Sequence, residues 1–333
     1  MILNPLKSGF VALAILLITT TVFAQKDVRV GFWNVENLYD TIDDPQIKDE
    51  EFLPSAKNAW TSQRYKTKQK NTAQVIAAMN PDILGMAEVE NRSVLNDLVK
   101  QPALKKQKYG IVHYDSPDQR GIDVALIYKT KVFTVLSSAS VKTQQPSDTL
   151  LPTRNILVVR GVVNKKDTVT VLVNHWPSRR GGKDDSEQRR IFAAATVRYI
   201  VDSLNRLYPN GEIISLGDFN DEPTDVSIQS LTATGQMVEP VFANLMDTID
   251  AKGEGTHYYK KEKSCLDQIM VTPALLEKKS YYVCCAMIFK PEWIFAEVYK
   301  GDGLSPKRTW AGSRYIGGYS DHLPVYCVLR FNK

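Results

Sequence analysis

Short apolar runs recur along this 333-residue chain, separated by polar turns, and two longer stretches carry helical spacing. The runs at 28–33, 83–87, 124–128, 155–163, 169–173, 212–216, 269–271 and 325–329 predict β-strands. Residues 62–79 predict a helix with Ala73, Ile76 and Met79 as its buried stripe. Residues 186–207 predict a second, because Ala193, Val197, Ile200, Leu204 and Leu207 return to one face every three or four positions. Asp184 with Glu187 predicts a capping box ahead of it. Several strands are apolar on both faces and need cover on both sides, so the pattern predicts two packed sheets with helices outside. No repeat, low-complexity tract or Gly/Ser linker divides the chain, and 25–333 reads as one domain.

Composition narrows this picture. With 43% hydrophobic and 24% charged residues, the chain is neither collagen, coiled coil nor wholly disordered. The net charge of +5 permits an acidic ligand without demanding one. Lys7 precedes an apolar run at 10–18 and then Val22-Phe23-Ala24, the layout of a cleaved signal peptide over 1–24 with the mature chain starting at Gln25. A retained membrane anchor is the competing reading, but the run is too short to span a bilayer. The expectation is a periplasmic or secreted monomer with no stable membrane insertion. Export makes disulfides possible for Cys265, Cys284, Cys285 and Cys327. A bridge from Cys265 to Cys284 or Cys285 and four buried free thiols both fit the spacing.

The chemistry-bearing residues stand where the apolar runs stop. Asn34, Glu36 and Asn37 end the first run, and Glu88, Glu90 and Asn91 end the second. Asn174 and His175 follow the run at 169–173, and Asp218 and Asn220 follow the run at 212–216. Asp267 opens one late strand, while Asp321 and His322 open the last. Each has an ordinary structural reading as a cap, turn or ion pair, but lone buried carboxylates cost several kcal/mol. Strand ends that converge on one sheet edge form a polar cleft. Carboxylates and amides without thiolates suit Mg²⁺, with Mn²⁺ or Ca²⁺ as alternatives. A His held by a carboxylate acts as a general base near neutral pH. With no Ser or Cys in a nucleophile elbow, the pattern points to metal-assisted hydrolysis of a phosphate ester by water.

The ordered motifs Trp33-Asn34-Val35-Glu36-Asn37, Ala87-Glu88-Val89-Glu90-Asn91, Arg120-Gly121-Ile122-Asp123, Asn174-His175-Trp176-Pro177-Ser178, Gly217-Asp218-Phe219-Asn220, Leu266-Asp267-Gln268 and Ser320-Asp321-His322 resemble the endonuclease/exonuclease/phosphatase superfamily. The resemblance runs over nearly all of 27–331 and is strongest to secreted bacterial members. It implies the deoxyribonuclease I-like fold, a four-layer α/β sandwich of two mixed β-sheets flanked by helices. It also implies catalytic roles for His175, Asp218, Asn220, Asp267 and His322. Substrate contacts fall to Asn34, Arg120, Asn174 and Arg179, and metal ligation to Glu88, Asn34 and Asp321. His175 points toward the deoxyribonuclease I-like and sphingomyelinase-like branches and away from abasic-site repair.

The resemblance leaves the substrate open among nucleic acid, phospholipid and inositol phosphate. An acid-free stretch with Lys57, Arg64, Lys66, Lys68 and Lys70 favours a polyanion, as do Arg179, Arg180 and Lys183. Asp40, Asp43, Asp44, Asp49, Glu50 and Glu51 oppose it. A lipid phosphodiesterase calls for an exposed aromatic hairpin, for which Trp293-Ile294-Phe295 is the candidate. The expectation is an endonuclease acting on DNA or RNA. A sphingomyelinase-like or inositol-phosphate phosphoesterase is the alternative, and an inactive binding module the minor one.

Overall fold

A computed structural model describes residues 27–143, 152–233, 239–277 and 280–332; the signal segment expected at 1–24 lies outside them. The chain opens with β1 (Val28–Leu38), α1 (Ser62–Met79), β2 (Ile83–Val89), α2 (Arg92–Val99), β3 (Tyr109–His113), β4 (Asp123–Lys129) and β5 (Phe133–Val141). Then come β6 (Ile156–Val163), β7 (Asp167–His175), α3 (Lys183–Leu207), β8 (Glu212–Asp218), α4 (Val226–Thr232) and β9 (Ala243–Asn244). The last third holds α5 (Asp247–Asp250), the hairpin β10 (His257–Tyr259) and β11 (Glu262–Ser264), β12 (Asp267–Val271) and β13 (Tyr281–Ile288). Two short hairpins follow, β14 (Phe295–Ala296) with β15 (Ser305–Pro306) and β16 (Trp310–Ala311) with β17 (Arg314–Tyr315), before β18 (Val325–Phe331).

Twelve of these strands form two six-stranded sheets, ordered β13-β18-β1-β2-β4-β3 and β5-β6-β7-β8-β12-β9. The β1–β2 and β7–β8 pairs are parallel, and the β1–β18 and β8–β12 pairs are antiparallel. Both sheets are therefore mixed.

Side-chain alternation explains the layers. Val28, Val30 and Phe32 of β1 pack between the sheets with Leu126, Val171, Leu216 and Ile269. Trp33 and Val35 face the other way, onto Ile76, Met79, Leu95 and Leu98 of α1 and α2. The second sheet likewise turns Leu172 and Ile213 outward onto Ala193, Val197 and Ile228 of α3 and α4. This is the four-layer sandwich. The sheets meet closely at Gly85, where an added Cβ would stand 2.4 Å from Leu216 Cδ1 and would force that side chain to shift.

Several expectations are corrected. Strands β3, β5 and β13 lack clear signals because they are edge strands; β5, for instance, is largely solvated and serine-rich. Helix α3 begins at Lys183 after Gly182 with no side-chain cap, so Asp184 and Glu187 lie inside the helix and form no capping box. All four cysteines are free, and Cys265 is buried without a bridge to Cys284 or Cys285. Residues 292–294 form a 3₁₀ turn, and of the candidate aromatic segment only Phe295 enters a hairpin, β14–β15. Ile294 is buried there, and Trp293 packs edge-on against Phe289 and Tyr319. Among the described residues, no helix is long and apolar enough to cross a membrane.

Candidate active site

Strand register assembles the polar ends. On the second sheet His175 of β7 is the register partner of Asp218 of β8, and Asp218 is the partner of Asp267 of β12. Three strands thus set an imidazole and two carboxylates side by side. On the first sheet Asn34 of β1 stands opposite Ala87 of β2, next to Glu88. The β1–β2 ladder shifts register beyond this point. Glu36, Asn37 and Glu88 there adopt positive φ of 52°, 54° and 61°. Such backbone is strained for non-glycine residues and gathers at functional sites. Side chains of the site hold it in place: Glu36 N–H donates to Asn34 Oδ1 at 3.0 Å and Asn37 N–H to Glu88 Oε2 at 2.9 Å.

The loop before β18 closes the group. Trp33 Nε1 donates to the His322 carbonyl at 3.0 Å, and Ser320 Oγ donates to the Asn34 carbonyl at 2.7 Å. His322 Nδ1 then lies 2.7 Å from Asp267 Oδ2, and its Nε2 3.9 Å from Asp218 Oδ2. Asn34 Nδ2 donates to the same Asp218 oxygen at 3.0 Å and approaches Glu88 Oε1 at 3.4 Å. His175 Nε2 is 3.6 Å from Asp218 and 4.0 Å from Glu88. Asn220, at the turn after β8, receives its backbone position from Asp218 Oδ1 and donates one side-chain N–H to the Trp176 carbonyl.

Burial dominates the electrostatics. It pushes the Asp218 carboxyl up to about 7, helped by Asp267 and opposed by His322 and Asn34. Burial also works against charge on His322, but Asp267 and Asp218 outweigh it and hold the imidazole well above its usual value. His175 moves well below, through burial and then the Arg154 and Arg120 charges. Two buried imidazoles of opposite tendency therefore face one carboxylate.

Not every expected residue reaches the centre. Asn174 uses its amide on the Leu172 and Leu216 carbonyls, Ser215 Oγ and Trp176 Nε1, so it orders the strand end and has no group left for phosphate. Arg179 is taken by Asp225, Asp221 and Glu222 and by the Asn220 carbonyl, which makes it a brace for the Asn220 turn. Arg120 lies half-exposed beside Asp118. Asp321 sits with His257 and His322, and its Oδ2 accepts from Arg308 at 2.9 Å. That guanidinium, with His322 and His257, overcomes burial and lowers the Asp321 carboxyl to about 2.

Conversely, Lys68 is no surface cation. It is buried, donates to Thr309 Oγ1 and the Tyr319 carbonyl at 2.7 Å each, and lies 4.0 Å from Glu36. Arg154, His257 and Arg308 also border the site; nothing in their sequence neighbourhood marks them, whereas Glu36 belonged to the first motif. Part of the acidic stretch folds onto its own backbone. Asp40 accepts from Ile42 N–H, and Asp49 from Asp44 N–H.

A divalent cation fits this donor set. Asp218, Asp267 and His322 form one compact group of possible ligands and His257, Asp321 and His322 another. The buried Asp267 Oδ1 has no hydrogen-bond partner. Glu88 adds a carboxylate across the Asn34 amide, whose Nδ2 faces Asp218 and Glu88 and whose Oδ1 accepts from Glu36 N–H. Oxygen-rich sites without thiolate select hard ions.

Residues 29–331 match the model of a family described as the endonuclease/exonuclease/phosphatase family. The fold is similar to the human Nocturnin catalytic domain at 19% identity and TM-score 0.57, over 92% of this chain and 94% of that one. It is similar to a family protein from Bacteroides thetaiotaomicron at 18% identity and TM-score 0.58, over 91% and 98%. A mannosyl-6-phosphatase from the same organism gives 18% and 0.57, over 91% and 100%. No curated protein matches the chain in sequence.

Proposed function

This chain belongs to the endonuclease/exonuclease/phosphatase family, and on that footing we propose that it is an exported, metal-dependent phosphodiesterase that cleaves DNA or RNA by attack of water. The convergence of His175, Asp218, Asp267 and His322 with Asn34 and Glu88 carries the reading. Glu88 and the Asn34 side-chain oxygen would hold a Mg²⁺, which would supply Lewis-acid polarisation of a phosphoryl oxygen. Asp218, anchored on both oxygens, orients the attacking water and takes its proton. The second side-chain N–H of Asn220 supports the phosphate. His322, fixed through Nδ1 by Asp267, presents Nε2 to the reacting group. Such positioned acid–base groups contribute factors of roughly 10² to 10⁴ each.

At residues 293–295 Ile294 is buried and Trp293 alone is exposed, which offers a lipid surface a single aromatic side chain. The complete polar set disfavours an inactive binding module. Incubation of the mature protein with supercoiled plasmid, RNA, sphingomyelin and a phosphomonoester, each with Mg²⁺ and with EDTA, tests the reading. Nicking or RNA cleavage that EDTA abolishes is expected. Activity untouched by EDTA overturns the metal, and lipid turnover without nicking overturns the substrate.

A further inference from the structure

Beside the catalytic group lies a cavity of about 300 Å³, lined by Tyr258, Tyr259, Tyr299, Lys260, Asp302 and Arg308 among others. Its inner wall belongs to the site already described. Asp321 also lines it and is held by Arg308, while Asp321's neighbour His322 forms a backbone bridge to His257 of β10. The two imidazole rings lie 4.8 Å apart. Tyr259 follows His257 by two residues, so the aromatic wall is built on the strand that touches the catalytic imidazole.

The outer wall has no evident structural duty. Tyr259 is 65% and Tyr299 45% exposed, and the ring neighbour of Tyr259 is the flexible Lys260 ammonium at 5.5 Å. Large aromatic faces left in water around a cavity mark a place where a flat ring binds. The volume is at the small end of ligand sites, which suits one nucleoside and excludes a duplex. Lys260, also lining the pocket, offers its ammonium to a phosphate of such a nucleoside, while Arg308 stays paired with Asp321 and Glu36.

We propose that this pocket holds the nucleobase next to the scissile phosphate, stacked against Tyr259 and Tyr299, so that the enzyme works on unpaired or splayed strands. The inference rests on the phosphodiesterase reading and names its substrate side. Aromatic stacking is sequence-tolerant and common in single-strand recognition.

Binding, independent of turnover, tests it. With EDTA present, calorimetry compares adenosine 5′-monophosphate, ribose 5-phosphate and mannose 6-phosphate on the whole mature protein. The wild type is expected to bind the nucleotide about ten-fold more tightly than ribose 5-phosphate. Tyr259→Ala and Tyr299→Ala should erase most of that difference while Tyr299→Phe keeps it, all with unchanged melting temperatures. Equal affinity for the two phosphates, or alanine variants that bind like the wild type, would overturn the pocket. Preference for mannose 6-phosphate would overturn it in favour of a hexose. Loss of nuclease activity in the substrate panel with these binding differences intact would reject the reaction, not the pocket.

Discussion

His322 Nδ1 lies 2.7 Å from Asp267 Oδ2 although 55 residues separate the two in the chain. The carboxylate comes from the start of β12, the imidazole from the loop that Trp33 and Ser320 tie to β1. Each sheet thus supplies or anchors one partner, and the pair forms only when the sandwich closes. With its proton directed to Asp267, the ring keeps Nε2 toward Asp218.

Asp267→Asn removes the charge and leaves the shape. The ring loses the anion that orients it and stabilises its charge, and kcat should fall by about 10² to 10⁴ with KM little changed. Steady-state kinetics on a single-stranded oligonucleotide check this; a KM effect alone would contradict the positioning role.

Glu88→Gln keeps the hydrogen bond to Asn37 possible but removes a hard anionic oxygen. The Mg²⁺ concentration for half-maximal activity should rise by at least about ten-fold, in line with the sensitivity of such sites to their supporting groups. A metal titration of activity reads the shift directly, and an unchanged midpoint would remove Glu88 from the ligand set.

Lys68→Met leaves Arg308 as the cation beside Glu36, with the Thr309 N–H, and orphans the Tyr319 carbonyl. Breaking a buried pair costs about 3–5 kcal/mol. The loss should fall toward the lower end, because burial already pushes the Glu36 carboxyl up to about 7 and lets it neutralise. Urea denaturation measures it, and adding Glu36→Gln should recover part of the lost stability.

Glu212 gives a pH test away from the site. Burial and the neighbouring Asp167 push its carboxyl up to about 8 from an ordinary 4.5. The folded chain therefore binds a proton that the unfolded chain has released between those values, and stability falls as pH rises through that window. Glu212→Gln should flatten the decline. Thermal melting at pH 5 and pH 8 should show a smaller loss for the variant, and equal losses would dismiss the shifted carboxyl.

Much of this molecule was legible before any coordinates. The central strands announced themselves because both their faces are buried, so their apolar runs are unbroken. Helix α1 was readable to the residue because Ala73, Ile76 and Met79 keep strict spacing on one buried face. Edge strand β5 was not, since half its residues face water and its polar pattern resembles a loop. Among site residues, those that end central strands were legible for the same reason that the strands were. Arg154, His257 and Arg308 come from segments without a periodic signal, and only packing brings them in.

Sequence by itself determined the order of elements, the identity of the acids, amides and imidazoles at strand ends, and the family pattern they spell. Tertiary structure decided which of them meet. Asn174 carries the same amide as Asn34 and Asn220, and Arg179 a phosphate-matching guanidinium, yet their neighbours use those groups first. Lys68 reads as one more solvated cation until the segment from Thr309 to Tyr319 folds over it. The physical reason is that a side chain's chemistry is local, whereas its partners, its burial and hence its charge depend on contacts made across the whole chain.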